Sequence, residues 1–145
     1  MNRFHYLVRG ICKIDGHVLL AHEIGANNTF LPGGHIELGE GAVECQRREL
    51  AEELGVLEVV VEGFVGAVEA AWEVSGAKQY EINLIFEVRL AGIAPPVPPE
   101  SQEAHLEFLW ARLDDLQHRN LQPVPLVDCI RRSPGEREPF WGSTL

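Results

Sequence analysis

The stretch from Leu31 to Val56 limits this chain more than any other. It runs Leu31-Pro32-Gly33-Gly34, crosses a polar loop, and then carries helical spacing over 41–54 before stopping at Gly55. Pro32 biases Leu31 towards an extended backbone. The two glycines open backbone paths closed to other residues and let carbonyl or amide groups approach an ion or a phosphate closely. At about 100° per residue, Val43, Leu50 and Leu54 share one arc and form the expected buried stripe. Glu49, Glu52 and Glu53 fall on a different side, related by i+3 and i+4, so their carboxylates are neighbours. That placement is costly twice. Like charges at this spacing repel by a few tenths of a kcal/mol per pair, and the last turns of a helix are the negative end of its dipole. A solvated acidic face is the ordinary reading of such a run. A bound divalent cation, however, relieves both penalties. The ligands are hard oxygens without a His or Cys cluster, which suits Mg²⁺, Mn²⁺ or Ca²⁺ rather than zinc.

The rest of the chain fits one domain. Its 145 residues, 46% of them apolar, are enough for a core without disulfides or a structural metal. No apolar run is long enough for a transmembrane helix, and the first residues lack a secretory pattern. With 12 Lys+Arg against 22 Asp+Glu the net charge is −10, which argues against binding nucleic acid through a broad basic footprint. Small anionic substrates remain compatible if a cation reverses the local sign. Cys12, Cys45 and Cys129 are scattered and odd in number, so a reducing cytoplasm is expected.

Strand-like patterns surround the helix. Residues 4–22 read as a hairpin around Asp15-Gly16, and 24–35 as a loop. Residues 57–74 read as a strand with bulges at Gly63 and Gly66, and 80–90 as its return. A Pro-rich loop over 91–104 precedes a strand at 105–113 and a short helix around 123–132. The tail, 133–145, is expected to be poorly ordered, although Phe140 and Trp141 offer a docking edge. The alternation favours an α/β chain with a mixed sheet and helices packed on it.

Taken together, Gly34, Glu40 and the run Arg48-Glu49-Leu50-Ala51-Glu52-Glu53-Leu54-Gly55-Val56 resemble the Nudix box, G-x5-E-x7-R-E-U-x-E-E-x-G-U with U a bulky aliphatic residue. All nine fixed positions match. The resemblance extends over roughly residues 3–132 and implies a single Nudix domain over 1–145. It implies an α/β/α sandwich with a mixed central sheet and a loop–helix–loop catalytic motif. It also implies hydrolysis of the P–O–P bridge of a nucleoside diphosphate linked to another group, with Mg²⁺ or Mn²⁺ and a water nucleophile.

Carried over by position, Glu49, Glu52 and Glu53 resemble the metal-binding glutamates, with the carbonyl of Gly33 as an extra ligand and Gly34 approaching substrate. Arg48 resembles the arginine that orients the carboxylates, Glu40 the box glutamate that supports the loop, and Gly55 the helix stop. The general base lies either in the box or on the loop 95–104, which offers Glu100 and, nearer the following strand, Glu103. Of the aromatics Phe30, Trp72, Tyr80 and Trp110, Trp72 before a hairpin turn is the better recognition residue, together with Asn28 in the loop leading to the box. His35 reads as a local hydrogen-bonding group, and Asn120 as a hint of base reading. No proline lies between 57 and 94 and no tyrosine sits just past the box, two marks of substrate subclasses. The expected partner is a small nucleotide, not nucleic acid or membrane, and the resemblance suggests a homodimer. The competing expectation is a nucleotide-sensing module that kept the fold and lost catalysis; the intact glutamates argue against it.

Overall fold

The computed structural model describes residues 1–133 and 135–145. Its layering follows from one strand. In β3 (His17–Glu23), Val18, Leu19, Leu20 and Ala21 are all fully buried. Successive residues of a strand point to opposite faces, so both faces of β3 are covered. Val18 and Leu20 enter a core with Val68, Ile85 and residues of α2 (Leu126–Arg131). Leu19 and Ala21 enter a second core with Leu50 and Leu54 of α1 (Ala42–Leu54), Val88 and Leu90. The helices therefore occupy opposite sides of the strands, the α/β/α arrangement expected.

Two sheets form the middle layer. One has the order β5 (Gly33–His35), β1 (Arg3–Ile11), β7 (Ala77–Leu90), β6 (Val59–Val74), β9 (Phe140–Ser143). It is mixed: β1 runs parallel to β7 and β6 parallel to β9, while the other pairs are antiparallel. In the other sheet, β3 pairs with β8 (Leu106–Arg112) along its whole length, and with β2 (Lys13–Ile14) and the short β4 (Thr29–Phe30).

Several expectations need correction. The hairpin over 4–22 is confined to β2 and β3, which turn at Asp15-Gly16. β1 leaves for the other sheet, where β7 pairs with it over nine residues; long-range pairing outweighs the adjacent turn. The loop 24–35 contains β4, which pairs back onto the neighbouring β3, and β5, which pairs with the more distant β1. The bulges on β6 do occur, with register shifts at Val61/Gly63 and Phe64/Gly66. Residue 134 lies outside the described residues, but against the expectation of a poorly ordered tail β9 adds itself to the sheet edge beside β6 over 140–143. Its docking depends on Gly66, where a Cβ would lie 2.1 Å from the Phe140 carbonyl oxygen.

Gly66→Ala is therefore expected to lower the unfolding free energy by about 1–3 kcal/mol and to strip hydrogen-exchange protection from residues 140–143. Denaturant titration with exchange mass spectrometry reads both.

Candidate active site

Helix α1 starts without a side-chain cap at Gly41 and ends at Gly55, whose φ of 67° is left-handed and whose N–H donates to the Ala51 carbonyl. No basic residue occupies its last turn, so nothing on the helix itself offsets the acidic end. The buried side consists of Cys45, Gln46, Leu50, Glu53 and Leu54. Val43 is only half-buried, and Glu53 lies inside rather than on an outer acidic face. The loop 95–104 explains part of this. It folds against the helix end, where the Gln102 N–H donates to the Glu53 carbonyl at 2.8 Å.

Arg48 organises the surrounding carboxylates. It donates through Nε and Nη2 to both oxygens of Glu40, at 2.7 and 3.0 Å. Nη1 donates to Glu49 at 3.0 Å and to Glu52 at 3.4 Å, and Nη2 to the His35 carbonyl at 3.2 Å. The guanidinium fork holds the Glu40 carboxyl down to about 2. Glu40 also accepts from the Glu37 N–H, so it ties the loop before the helix to Arg48.

Glu53 is the unusual member. It is 5% exposed, and its Oε2 is buried without a hydrogen-bond partner. Burial foremost, then the neighbouring charge of Glu49, pushes its carboxyl up to about 8, with Arg9 opposing. Glu49 is raised for the same first reason. Crowding among the glutamates is thus secondary to loss of water. Glu52 lies on the outer side of the helix, about half exposed. Among the described residues no three His, Cys, Asp or Glu side chains are arranged around one point to hold a metal ion.

Both glycines leave no free room for a side chain, Gly33 against backbone and Gly34 against the tip of the Glu49 side chain. At Gly34 a Cβ would sit 2.4 Å from the Glu49 carboxyl carbon, and at Gly33, with φ 153°, 1.9 Å from the Val8 carbonyl oxygen. Glu49 is thereby pressed directly onto the Gly-Gly strand. Glu103 lies close enough to Glu49 and Glu53 to raise both, and its own carboxylate is 3.4 Å from His105. Glu100 belongs to the same loop, farther from the strand.

Beside this acidic end opens a cavity of about 730 Å³. Asn28 and Trp72, the two residues expected to contact the substrate, line it, and so does Phe30. Trp72 stacks on His5, with centroids 5.9 Å apart and planes at 19°. A ring nitrogen of His5 is 2.9 Å from one of His35, which also lines the cavity. Other candidates serve the scaffold. Trp110 donates to the Val97 carbonyl and pins the Pro-rich loop. Asn120 is a left-handed cap whose amide donates to the Asn27 carbonyl, while Gln122 reaches the cavity instead. Tyr80 is half-buried and does not line it.

Sequence reasoning missed Arg9, Glu81 and Asn83 on the cavity floor. They come together because β1 and β7 pair in parallel, with Leu7 opposite Asn83 and His5 opposite Glu81. The available signal is that each interrupts an apolar strand with a polar group.

A family model described as the NUDIX domain matches residues 3–127. A curated protein named nucleoside triphosphatase NudI, from Escherichia coli O139:H28, is 29% identical over 126 residues, covering 79% of this chain and 86% of that protein. An RNA pyrophosphohydrolase from Sodalis glossinidius is 44% identical over 46 residues, 32% of this chain; the chain spans only 26% of that relative's length. Among solved structures, a MutT protein from Bacillus halodurans superposes with a TM-score of 0.67 at 18% identity, covering 96% of this chain and 88% of that one. A structure titled UDP-X diphosphatase gives 0.66 at 18% identity, covering 95% and 66%. Both support the fold.

A carboxyl whose folded pKa exceeds its unfolded value binds its proton more tightly in the folded state. For Glu53 the corresponding stability is complete below about 4.5 and is lost as pH rises through about 8. The metal-free protein should lose up to about 1.4 kcal/mol per pH unit in that window. Glu53→Gln should flatten this slope and raise the Tm at pH 8, as read by thermal unfolding in chelator.

Proposed function

The chain belongs to the Nudix family, and we propose that it is a pyrophosphohydrolase that cleaves the P–O–P linkage of a nucleoside diphosphate derivative, of nucleoside triphosphate or nucleotide-sugar type. The observation that carries this reading is the buried, unpartnered Oε2 of Glu53. An unsatisfied carboxylate oxygen costs stability, and a site that keeps one has a use for it. Its charged neighbour is Glu49, pressed against Gly34, and the resemblance adds the Gly33 carbonyl as a further oxygen donor. This all-oxygen donor set fits Mg²⁺ or Mn²⁺. The likeness to a nucleoside triphosphatase over most of both chains supports the same class. The net charge of −10 disfavours RNA.

Glu49, Glu53 and the Gly33 carbonyl would hold the ion, with Glu52 joining from the outer side of the helix. When bound, the divalent ion neutralises the diphosphate and lowers the pKa of water. Arg48 fixes the direction of Glu49 and Glu52 through charge-assisted bonds. The water oxygen forms a bond to phosphorus as the bridging P–O bond breaks. Glu103, on the loop beside Glu49 and Glu53, accepts the water proton, and the leaving phosphate or pyrophosphate departs with the bridging oxygen. Asn28 and Trp72 contact the nucleoside in the adjoining cavity.

The test is a panel of nucleoside triphosphates, nucleotide sugars, ADP-ribose and dinucleoside polyphosphates with Mg²⁺ or Mn²⁺, scored for phosphate or pyrophosphate release. Turnover should stop in chelator. Glu52→Gln and Glu53→Gln should abolish it, and Glu103→Gln should lower kcat by about 10²–10⁴-fold. A Glu103→Gln variant with kcat near wild type removes Glu103 as the base. No turnover of any member, with no metal binding by calorimetry, replaces the enzyme with a sensing module.

A further inference from the structure

The cavity floor carries a cation and an anion held apart. Arg9 is fixed on three sides. Its Nε donates to Asn83 Oδ1 at 3.4 Å, its Nη1 donates to the Leu31 carbonyl at 3.1 Å, and its guanidinium carbon lies 5.2 Å from the centre of the Phe30 ring. Asn83 is 1% exposed and is itself anchored, donating to the Val68 carbonyl. These contacts leave Nη2 of Arg9 without a partner among the described residues. Glu81 is the strongest charged influence on Arg9, yet the two form no ion pair, and Glu81 accepts no hydrogen bond among the described residues. Both line the cavity with Trp72 and the small side chains of Ala70 and Ala71.

A flat heterocycle whose edge offers acceptors next to donors would satisfy both groups at once. Guanine presents O6 and N7 as acceptors, the edge an arginine fork reads. Next to them it carries N1–H and the 2-amino group, two adjacent donors that suit a carboxylate accepting through both oxygens. Adenine, cytosine and uracil lack that adjacent pair of donors. We propose that this cavity selects guanine nucleotides, with Arg9 donating to the O6/N7 edge, Glu81 accepting from N1–H and the 2-amino group, and Trp72 flanking the ring. The proposal deepens the nucleotide-hydrolase reading and rests on it for the orientation of the phosphates towards Glu49 and Glu53.

Calorimetric binding of GMP, IMP and AMP tests the recognition without requiring hydrolysis. IMP differs from GMP only by the missing 2-amino group. GMP should bind at least about tenfold more tightly than either, and Glu81→Gln should erase the contrast between GMP and IMP. Equal binding of GMP and IMP by the wild-type protein overturns the proposal, and this comparison needs no variant to fold. A contrast that survives in Glu81→Gln also overturns it. Guanine-selective binding without turnover of GTP or GDP-sugars leaves the recognition standing and removes the hydrolase instead, so the two failures are separable.

Discussion

The site depends on the fork of Arg48. One guanidinium spans the loop before the helix, through Glu40 and the His35 carbonyl, and the helix itself, through Glu49 and Glu52. Without it, an acidic helix end, with no basic residue in its last turn, would splay its carboxylates into water. With it, the loop and the helix are clasped while Glu53 remains inside, unneutralised by any direct contact. Arg9 is the next cation inward and acts on Glu53 only from a distance. The protein thus spends stability on one buried carboxyl and recovers part of it through a half-exposed charge network around its edge.

The box was legible because its demands are local. Gly55 stops the helix, Gly33 and Gly34 stand where a Cβ would strike neighbouring atoms, and Arg48 and Glu40 pair across a short loop. Spacing along the chain captures such relations. The long strands were also legible, since β6 and β7 alternate and turn tightly at Ser75-Gly76.

What escaped was set by pairing between distant segments. The partner of β1 is β7, more than seventy residues away, and no periodicity within β1 points to it. For the same reason Arg9, Glu81 and Asn83 looked like unrelated polar interruptions. Glu53 was misplaced because the helical wheel assigned a face to each charge but could not foresee that the loop carrying Gln102 would fold over the helix end. Asn120 was misread because its side chain closes a turn against Asn27 instead of facing the cavity. β9 was hidden by a polar, proline-containing approach that says nothing of the open sheet edge waiting at Gly66.

The double burial of β3 has a mechanical consequence. Its alternate residues are the shared wall of both apolar compartments, so neither helix can detach without exposing the back of the other's packing. Melting should consequently be concerted, with loss of α2 carrying α1 and its carboxylates with it. A disturbance that begins beneath the remote short helix is transmitted to the acidic end of α1 through the strands that wall both compartments, with β3 as the most completely buried coupling rod among them.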